Sequence, residues 1–273
     1  MTSKTLKINS KGDMTYITFP KLDDCGAVRH LFSTRSGGVS GGKYASMNLS
    51  FNNGDSRENV LENYRRLCSA AGIDPSHLVL SRQTHTSNVR MVDESDCGTG
   101  IFKDSFTDVD GLITDRPEVA LVTQYADCTP LLFCDPKRRV IASSHAGWRG
   151  TVKEIGRVTV EKMINEYGCS PENIIAAIGP CIGKCCYEVD EPVISEFKKL
   201  TYLCFDRIYS EKGGGKYMLD LAEANKQILV HSGISEANID VSDLCTCCFH
   251  DELHSHRATN GQRGNLAAII ELK

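Results

Sequence analysis

The sequence predicts a single α/β domain with mixed β-sheets, on three observations. Short apolar runs of strand length and amphipathic stretches of helical period are interleaved, without the strict strand–helix–strand alternation of a parallel doubly wound fold. The 273 residues are 41% hydrophobic and 24% charged, an ordinary globular composition and enough to bury a large core. No repeat, low-complexity tract or composition shift marks a linker, so residues 1–273 are read as one domain. The first dozen residues are polar and are expected to be loosely held.

His30 to Thr34 reads as a strand running into Arg35-Ser36-Gly37-Gly38-Val39-Ser40-Gly41-Gly42. The glycines of that loop permit positive φ and close backbone approach to a ligand. Asp55 with Glu58 can form a capping box. Val60, Leu61, Tyr64, Leu67 and Cys68 then recur at helical spacing. Further strands are expected at Leu78 to Leu80, Gly111 to Thr114, Val119 to Tyr125, Leu131 to Cys134 and Val140 to Ser144. Lys137, Arg138 and Arg139 follow Asp135-Pro136 and read as a solvated turn. A helix is expected from Val152 to Tyr167, closed by Gly168 at its C-cap. Ile174 to Ile178 reads as a buried strand, Pro192 to Leu200 and Leu219 to His231 as helices, and Leu266 to Leu272 as a final strand.

Composition narrows the function. A formal net charge of -4, with no clustered basic surface, argues against nucleic acid or anionic membrane as a standing partner. No apolar stretch approaches the ~20 residues that cross a bilayer, and the N-terminus shows no export signal, so a cytoplasmic protein is expected. Thirteen cysteines in a long chain of that kind read as buried thiols, metal ligands or nucleophiles rather than disulfides.

Three segments put metal-capable side chains where an apolar strand stops: Gln83-Thr84-His85, Ala126-Asp127-Cys128 and His145-Ala146-Gly147-Trp148-Arg149-Gly150. Two imidazoles and a thiolate form a three-ligand set with an open fourth position. That suits a catalytic zinc, and copper fits the same ligand types. Spacing alone leaves open that His85 and His145 are hydrogen-bonded structural residues and Cys128 a packed thiol.

The segments above, together with Arg35-Ser36-Gly37-Gly38-Val39-Ser40, Asp110-Gly111-Leu112-Ile113-Thr114, Thr129-Pro130, Ile178-Gly179-Pro180, Cys186-Tyr187-Glu188-Val189 and Cys245-Thr246, form an ordered series from about Phe32 to Leu272. The series resembles the motifs of the laccase-domain family, also called polyphenol oxidoreductases and understood as purine nucleoside phosphorylases, with a peptidoglycan editing factor among its bacterial members. The resemblance implies a layered α/β/β/α fold similar to the catalytic domain of a deamidating toxin, and zinc or copper held by His85, Cys128 and His145. It also implies phosphorolysis of adenosine, inosine, guanosine and methylthioadenosine, with adenosine deamination as a companion activity. Inorganic phosphate would then be co-substrate.

Phosphorolysis must place an anionic nucleophile at C1′ of the ribose and stabilise a departing purine. Arg35 and Arg149, flanked by glycines, are the expected phosphate ligands, with Gln83 a further substrate contact. Deamination needs an activated water and a proton-carrying carboxylate. Asp127 is the first candidate and Glu188 the weaker one, although Asp127 could equally shape its turn. The H-x-E and P-C-x-x-C pattern of zinc nucleoside deaminases is absent. Without metal, Cys128 could act as a nucleophile with His145 as its base, which would make a cysteine-type amidase acting on cell-wall precursors. A non-catalytic metal- or purine-binding protein is the third reading. A true multicopper oxidase is excluded, because the chain has eight histidines and a single H-x-H, His254-Ser255-His256.

Cys181, Cys185 and Cys186, with Cys245, Cys247, Cys248 and His250, could by spacing form a second, structural zinc site. They do not follow the regular C-x2-C knuckles of zinc ribbons, so buried thiols beside the pocket are expected. Two metal equivalents per chain would overturn that expectation. Ser255-His256-Arg257 and Gly261-Gln262-Arg263-Gly264 resemble the family's closing motif imperfectly, with His256 where an aromatic is common and Gln262 interposed. No role is assigned to Arg257 or Arg263.

Overall fold

The computed structural model describes residues 1–273. Two large sheets stack face to face with helices outside each, as expected of an α/β/β/α sandwich. The first sheet has seven strands, in the order β1 (Lys7–Lys11), β2 (Met14–Thr18), β3 (Val28–Ser33), β16 (Leu266–Leu272), β8 (Ala120–Tyr125), β4 (Leu78–Arg82) and β6 (Phe106–Thr107). The second has six: β15 (Ile239–Val241), β11 (Ile175–Ile178), β9 (Thr129–Asp135), β10 (Val140–Ala146), β7 (Gly111–Thr114) and β5 (Val89–Met91). Both are mixed. β4 runs parallel to β6 and β8, β5 to β7 and β11 to β15, while the remaining pairs are antiparallel.

Seven α-helices complete the layers: α1 (Pro20–Asp24), α2 (Arg57–Ala71), α3 (Trp148–Val152), α4 (Ile155–Tyr167), α5 (Glu191–Lys198), α6 (Phe205–Ile208) and α7 (Leu221–His231). Val60, Tyr64 and Leu67 of α2 pack with Leu31, Val122 and Ile269 of the first sheet. Val160 and Met163 of α4 and Leu229 of α7 pack with Leu131, Phe133 and Ala142 of the second. Between the sheets, Phe32, Leu121 and Ile270 meet Leu132, Ile141 and Ala177. The seven-residue strands β9, β10 and β16 are therefore buried along their whole length, and their polar residues, such as Ser143, Ser144 and His145 of β10 and Glu271 of β16, are buried with them. No helix is long and apolar enough to cross a membrane.

Several local expectations change. The first dozen residues are hydrogen-bonded rather than loose. Lys7 to Lys11 pairs with Met14 to Thr18 through a turn at Gly12 (φ +62°), while Lys4 N–H and the Thr5 hydroxyl bond the Asp243 carboxylate. The N-cap of α2 is Ser56, whose hydroxyl accepts from Asn59 N–H, and Asp55 instead binds Ser40 and Asn48. The helix expected from Val152 to Tyr167 is two helices, because Glu154 takes a left-handed conformation (φ +55°) between α3 and α4. A small antiparallel sheet of β12 (Glu188–Asp190), β14 (Lys216–Leu219) and β13 (Tyr209–Gly213) has no counterpart in the sequence reading, since its strands are short and largely exposed.

Candidate metal centre and cleft

The site forms where chain ends of the two sheets meet. In the antiparallel pairing of β9 with β10, Ala146 lies opposite Thr129, so Cys128, one residue before β9, falls beside the end of β10 that carries His145. In the pairing of β10 with β7, Ser144 lies opposite Gly111, which sets Asp110 beside His145. His85 arrives from the first sheet, three residues beyond β4, in a left-handed conformation (φ +65°) that a non-glycine residue adopts only when its surroundings hold it there.

Those surroundings centre on Asp110, which is wholly buried. Its Oδ1 accepts from His85 N–H (3.0 Å) and pairs with His145 Nδ1 (2.8 Å). Its Oδ2 accepts from Thr84 N–H (3.1 Å), Thr86 N–H (2.8 Å) and the Thr86 hydroxyl (2.8 Å). Asp110 thus fixes the His85 loop and leaves His145 Nε2 as the free ring nitrogen, an arrangement common behind metal-ligating histidines. Burial alone would raise the Asp110 carboxyl. The His145 imidazole and the Thr86 N–H outweigh it and hold the group well below the usual carboxylate range.

The ligand atoms of His85, Cys128 and His145 lie within 4.8 Å of one another, and His85 Nε2 is 3.8 Å from Cys128 Sγ. Burial would raise the Cys128 thiol, but the adjacent His145 and His85 bring it down to about 6. His145 is lowered by burial and raised more strongly by Cys128 and Asp110, to about 9. A Cβ added to Gly147 would fall 2.9 Å from Cys128 Sγ and 2.7 Å from His85 Cδ2. The cradle between the three side chains is therefore kept open by a glycine. Two imidazoles and a thiol of lowered pKa, converging with no fourth protein ligand, fit an open zinc or copper site.

The cluster lies in a cleft of about 600 Å³, within the range of small-molecule sites. Gln83 and Asp127 are among the residues that line it, and both are used structurally. Gln83 Nε2 donates to Gln124 O (2.9 Å) and its Oε1 accepts from Gln124 N–H (2.7 Å), extending the sheet by a side chain. Asp127, at φ +83°, accepts from the Thr246 hydroxyl (2.6 Å) and from Arg257 N–H (2.7 Å), which pins the turn preceding Cys128.

Neither expected arginine lines the cleft. Arg35 lies outside the cleft and is consumed by backbone, its Nε donating to Ala45 O (2.9 Å) and its Nη1 to His250 O (2.5 Å). The glycines beside it serve the chain itself, since a Cβ on Gly38 would collide with Ser46 O. Arg149 is exposed and stacked over the Trp148 ring (4.2 Å) beside the cleft, not lining it. Glu188 pairs with Lys212 and does not line the cleft either. The cleft arginines are Arg82, Arg257 and Arg263. The buried Arg263 Nε has no hydrogen-bond partner, while its Nη1 bonds Asn265. Asp110 does not stand out in the sequence as a site residue, and its one signal there is an Asp-Gly pair immediately before an apolar strand.

The chain is similar to known proteins over most of its length. The family model described as multi-copper polyphenol oxidoreductase laccase matches residues 29–273. A purine nucleoside phosphorylase, YlmD, of Bacillus subtilis is 34% identical over 89% of this chain and 87% of its own length. An adenosine deaminase, RL5, from an unknown prokaryotic organism is 35% identical over 88% and 94%. The crystal structure of a Bacillus licheniformis hypothetical protein, YfiH, superposes with a TM-score of 0.93 at 33% identity, covering 99% of this chain and all of that one. The ordered motifs, the layered sheets and these matches place the chain in the laccase-domain family of polyphenol oxidoreductase-like proteins.

Proposed function

We propose that the protein is a metal-dependent purine nucleoside phosphorylase acting on adenosine, inosine, guanosine and methylthioadenosine, with adenosine deamination as a secondary activity. The observation that carries this reading is the open His85–Cys128–His145 cluster in a cleft that also presents Arg82, Arg257 and Arg263. Relatives named purine nucleoside phosphorylase and adenosine deaminase support the same pair of reactions.

A zinc or copper ion held by the three ligands would supply Lewis acidity at the base of the cleft. Arg82 and Arg263, which line the cleft, bind and orient the phosphate dianion, while Arg257, whose Nη1 and Nη2 donate to Cys186 O and Glu188 O, adds positive charge beside it. Trp148 and Tyr187 offer apolar faces for the purine. A phosphate oxygen then bonds to C1′ as the C1′–N9 bond breaks, and the purine departs with the bonding pair and takes up a proton. In deamination, Asp127 carries the proton through lone pairs left over from its two structural bonds.

A second reading has its own observation. Cys128, His145 and Asp110 line up as a nucleophile, a base and an orienting carboxylate, the arrangement a cysteine amidase needs. Incubating the pure protein with adenosine, with and without phosphate, tests the first reading. Free adenine and ribose 1-phosphate are expected only with phosphate, and inosine in either condition. Absence of both products, together with a metal-free preparation in which Cys128 alkylates readily, sinks the phosphorylase reading in favour of the amidase.

A further inference from the structure

Outside the cleft, cysteines from two distant stretches converge. Cys185 and Cys186 lie in the turn before β12, and Cys245 and Cys248 in the loop after β15. Their four sulfurs all lie within 4.8 Å of one another, with Cys248 Sγ 3.5 Å from Cys185 Sγ and 3.4 Å from Cys186 Sγ. Bonded sulfurs would be about 2.05 Å apart. Sulfurs around a tetrahedral zinc, at Zn–S of about 2.3 Å, are about 3.8 Å apart, close to what is seen.

The backbone is shaped for this cluster. Gly183 N–H donates to Cys245 Sγ (3.2 Å), and a Cβ on Gly183 would press within 3.3 Å of Cys185 Sγ. A parallel bridge between Cys181 and Cys245, with Thr246 N–H donating to Cys181 O (3.0 Å), sets the two stretches side by side. Four converging sulfurs of this kind offer a cation a complete set of soft donors. Cys185 and Cys248 are exposed, which leaves an ion a path of entry.

We propose that Cys185, Cys186, Cys245 and Cys248 form a structural zinc site, separate from the cleft cluster. Four soft thiolates with no open position are the ligand set of structural rather than catalytic zinc. Binding is ligand exchange without redox change, each coordinated thiol releasing its proton to solvent. Buried thiols are therefore not the best reading of these cysteines. Cys245-Thr246-Cys247-Cys248 is a C-x2-C knuckle, disguised in the sequence by the cysteine inside it. The ion staples together the two segments that wall the cleft: Ile182 and Tyr187 line it on one side, and Thr246 holds Asp127 on the other.

The test uses full-length protein carrying Cys128→Ser, which removes the cleft thiolate and isolates the second site. In reducing, zinc-containing buffer it should retain one zinc per chain, against two for the unsubstituted protein. Cobalt titration should give tetrahedral cobalt–thiolate charge-transfer bands. Adding Cys185→Ser and Cys248→Ser should abolish both signals, whereas Cys247→Ser should leave them. A folded Cys128→Ser protein with no bound zinc and no cobalt–thiolate bands overturns the site. So does a native disulfide joining Cys248 to Cys185 or Cys186. Loss of the cleft metal alone would instead appear as one zinc per chain in both the unsubstituted and the Cys128→Ser proteins, with thiolate bands intact.

Discussion

Replacing Asp110 by asparagine tests the organisation of the metal centre at its least replaceable point. The carboxylate takes five hydrogen bonds, two on Oδ1 and three on Oδ2, and all five partners are donors when His145 carries its Nδ1 proton. Asparagine can offer its carbonyl to only one of the two groups. If the amide nitrogen faces Thr84 and Thr86, three donors oppose it. If it faces His145, the imidazole must shift its proton to Nε2, the nitrogen needed for metal. Leaving buried donors unpaired costs about 1–3 kcal/mol each, so a stability loss of a few kcal/mol is expected. Loss of the orienting carboxylate should weaken metal binding about 10- to 100-fold, or about 1.4–2.7 kcal/mol. Competition for zinc against a chromophoric chelator measures the second quantity, and urea unfolding of metal-free protein measures the first. Zinc affinity equal to that of the unsubstituted protein, in a variant whose Cys128→Ser counterpart has lost the cleft metal, would refute the assignment of Asp110.

Three further outcomes follow from the same geometry. Gly147→Ala should bar metal from the cleft, because the new methyl would stand 2.9 Å from Cys128 Sγ, and metal analysis of that variant checks this directly. Arg263→Met should raise the KM for phosphate by about 10- to 100-fold, the worth of a charged hydrogen bond, whereas Arg35→Met should lower the urea midpoint and leave that KM unchanged. In metal-stripped protein the Cys128 thiol is held down to about 6, so its alkylation rate should rise as pH climbs through 6 rather than through the ordinary thiol range. A folded pKa below the unfolded one adds stability that is present above the unfolded value and lost as pH falls through about 6. An alkylation midpoint near 8.5 would show that His145 does not act on the thiol.

The chain's own order determined a good deal. Mostly apolar runs such as Leu266 to Leu272 and Gly111 to Thr114 announced their strands to the residue, because burial on both faces keeps polar side chains to one in each, Glu271 and Thr114. His85, Cys128 and His145 were legible as strand-end ligands, since residue type and position both show in one dimension. Strand pairing was not legible. The register that puts Asp110 against His145, and the turn that takes Asp127 out to Thr246, depend on partners 35 and 119 residues away. The arginines show the same limit. Arg35 stands beside glycines and looks ready for an anion, yet the carbonyls of Ala45 and His250 claim it, while Arg263, with no such signal in the sequence, lines the cleft. A guanidinium's chemistry is fixed by its type, but whether it meets backbone or solvent is decided by the chain folded around it. The four cysteines make the point most plainly, because four sulfurs within 4.8 Å of one another are a relation among distances that exists only once Gly183 and Cys245 have been brought together.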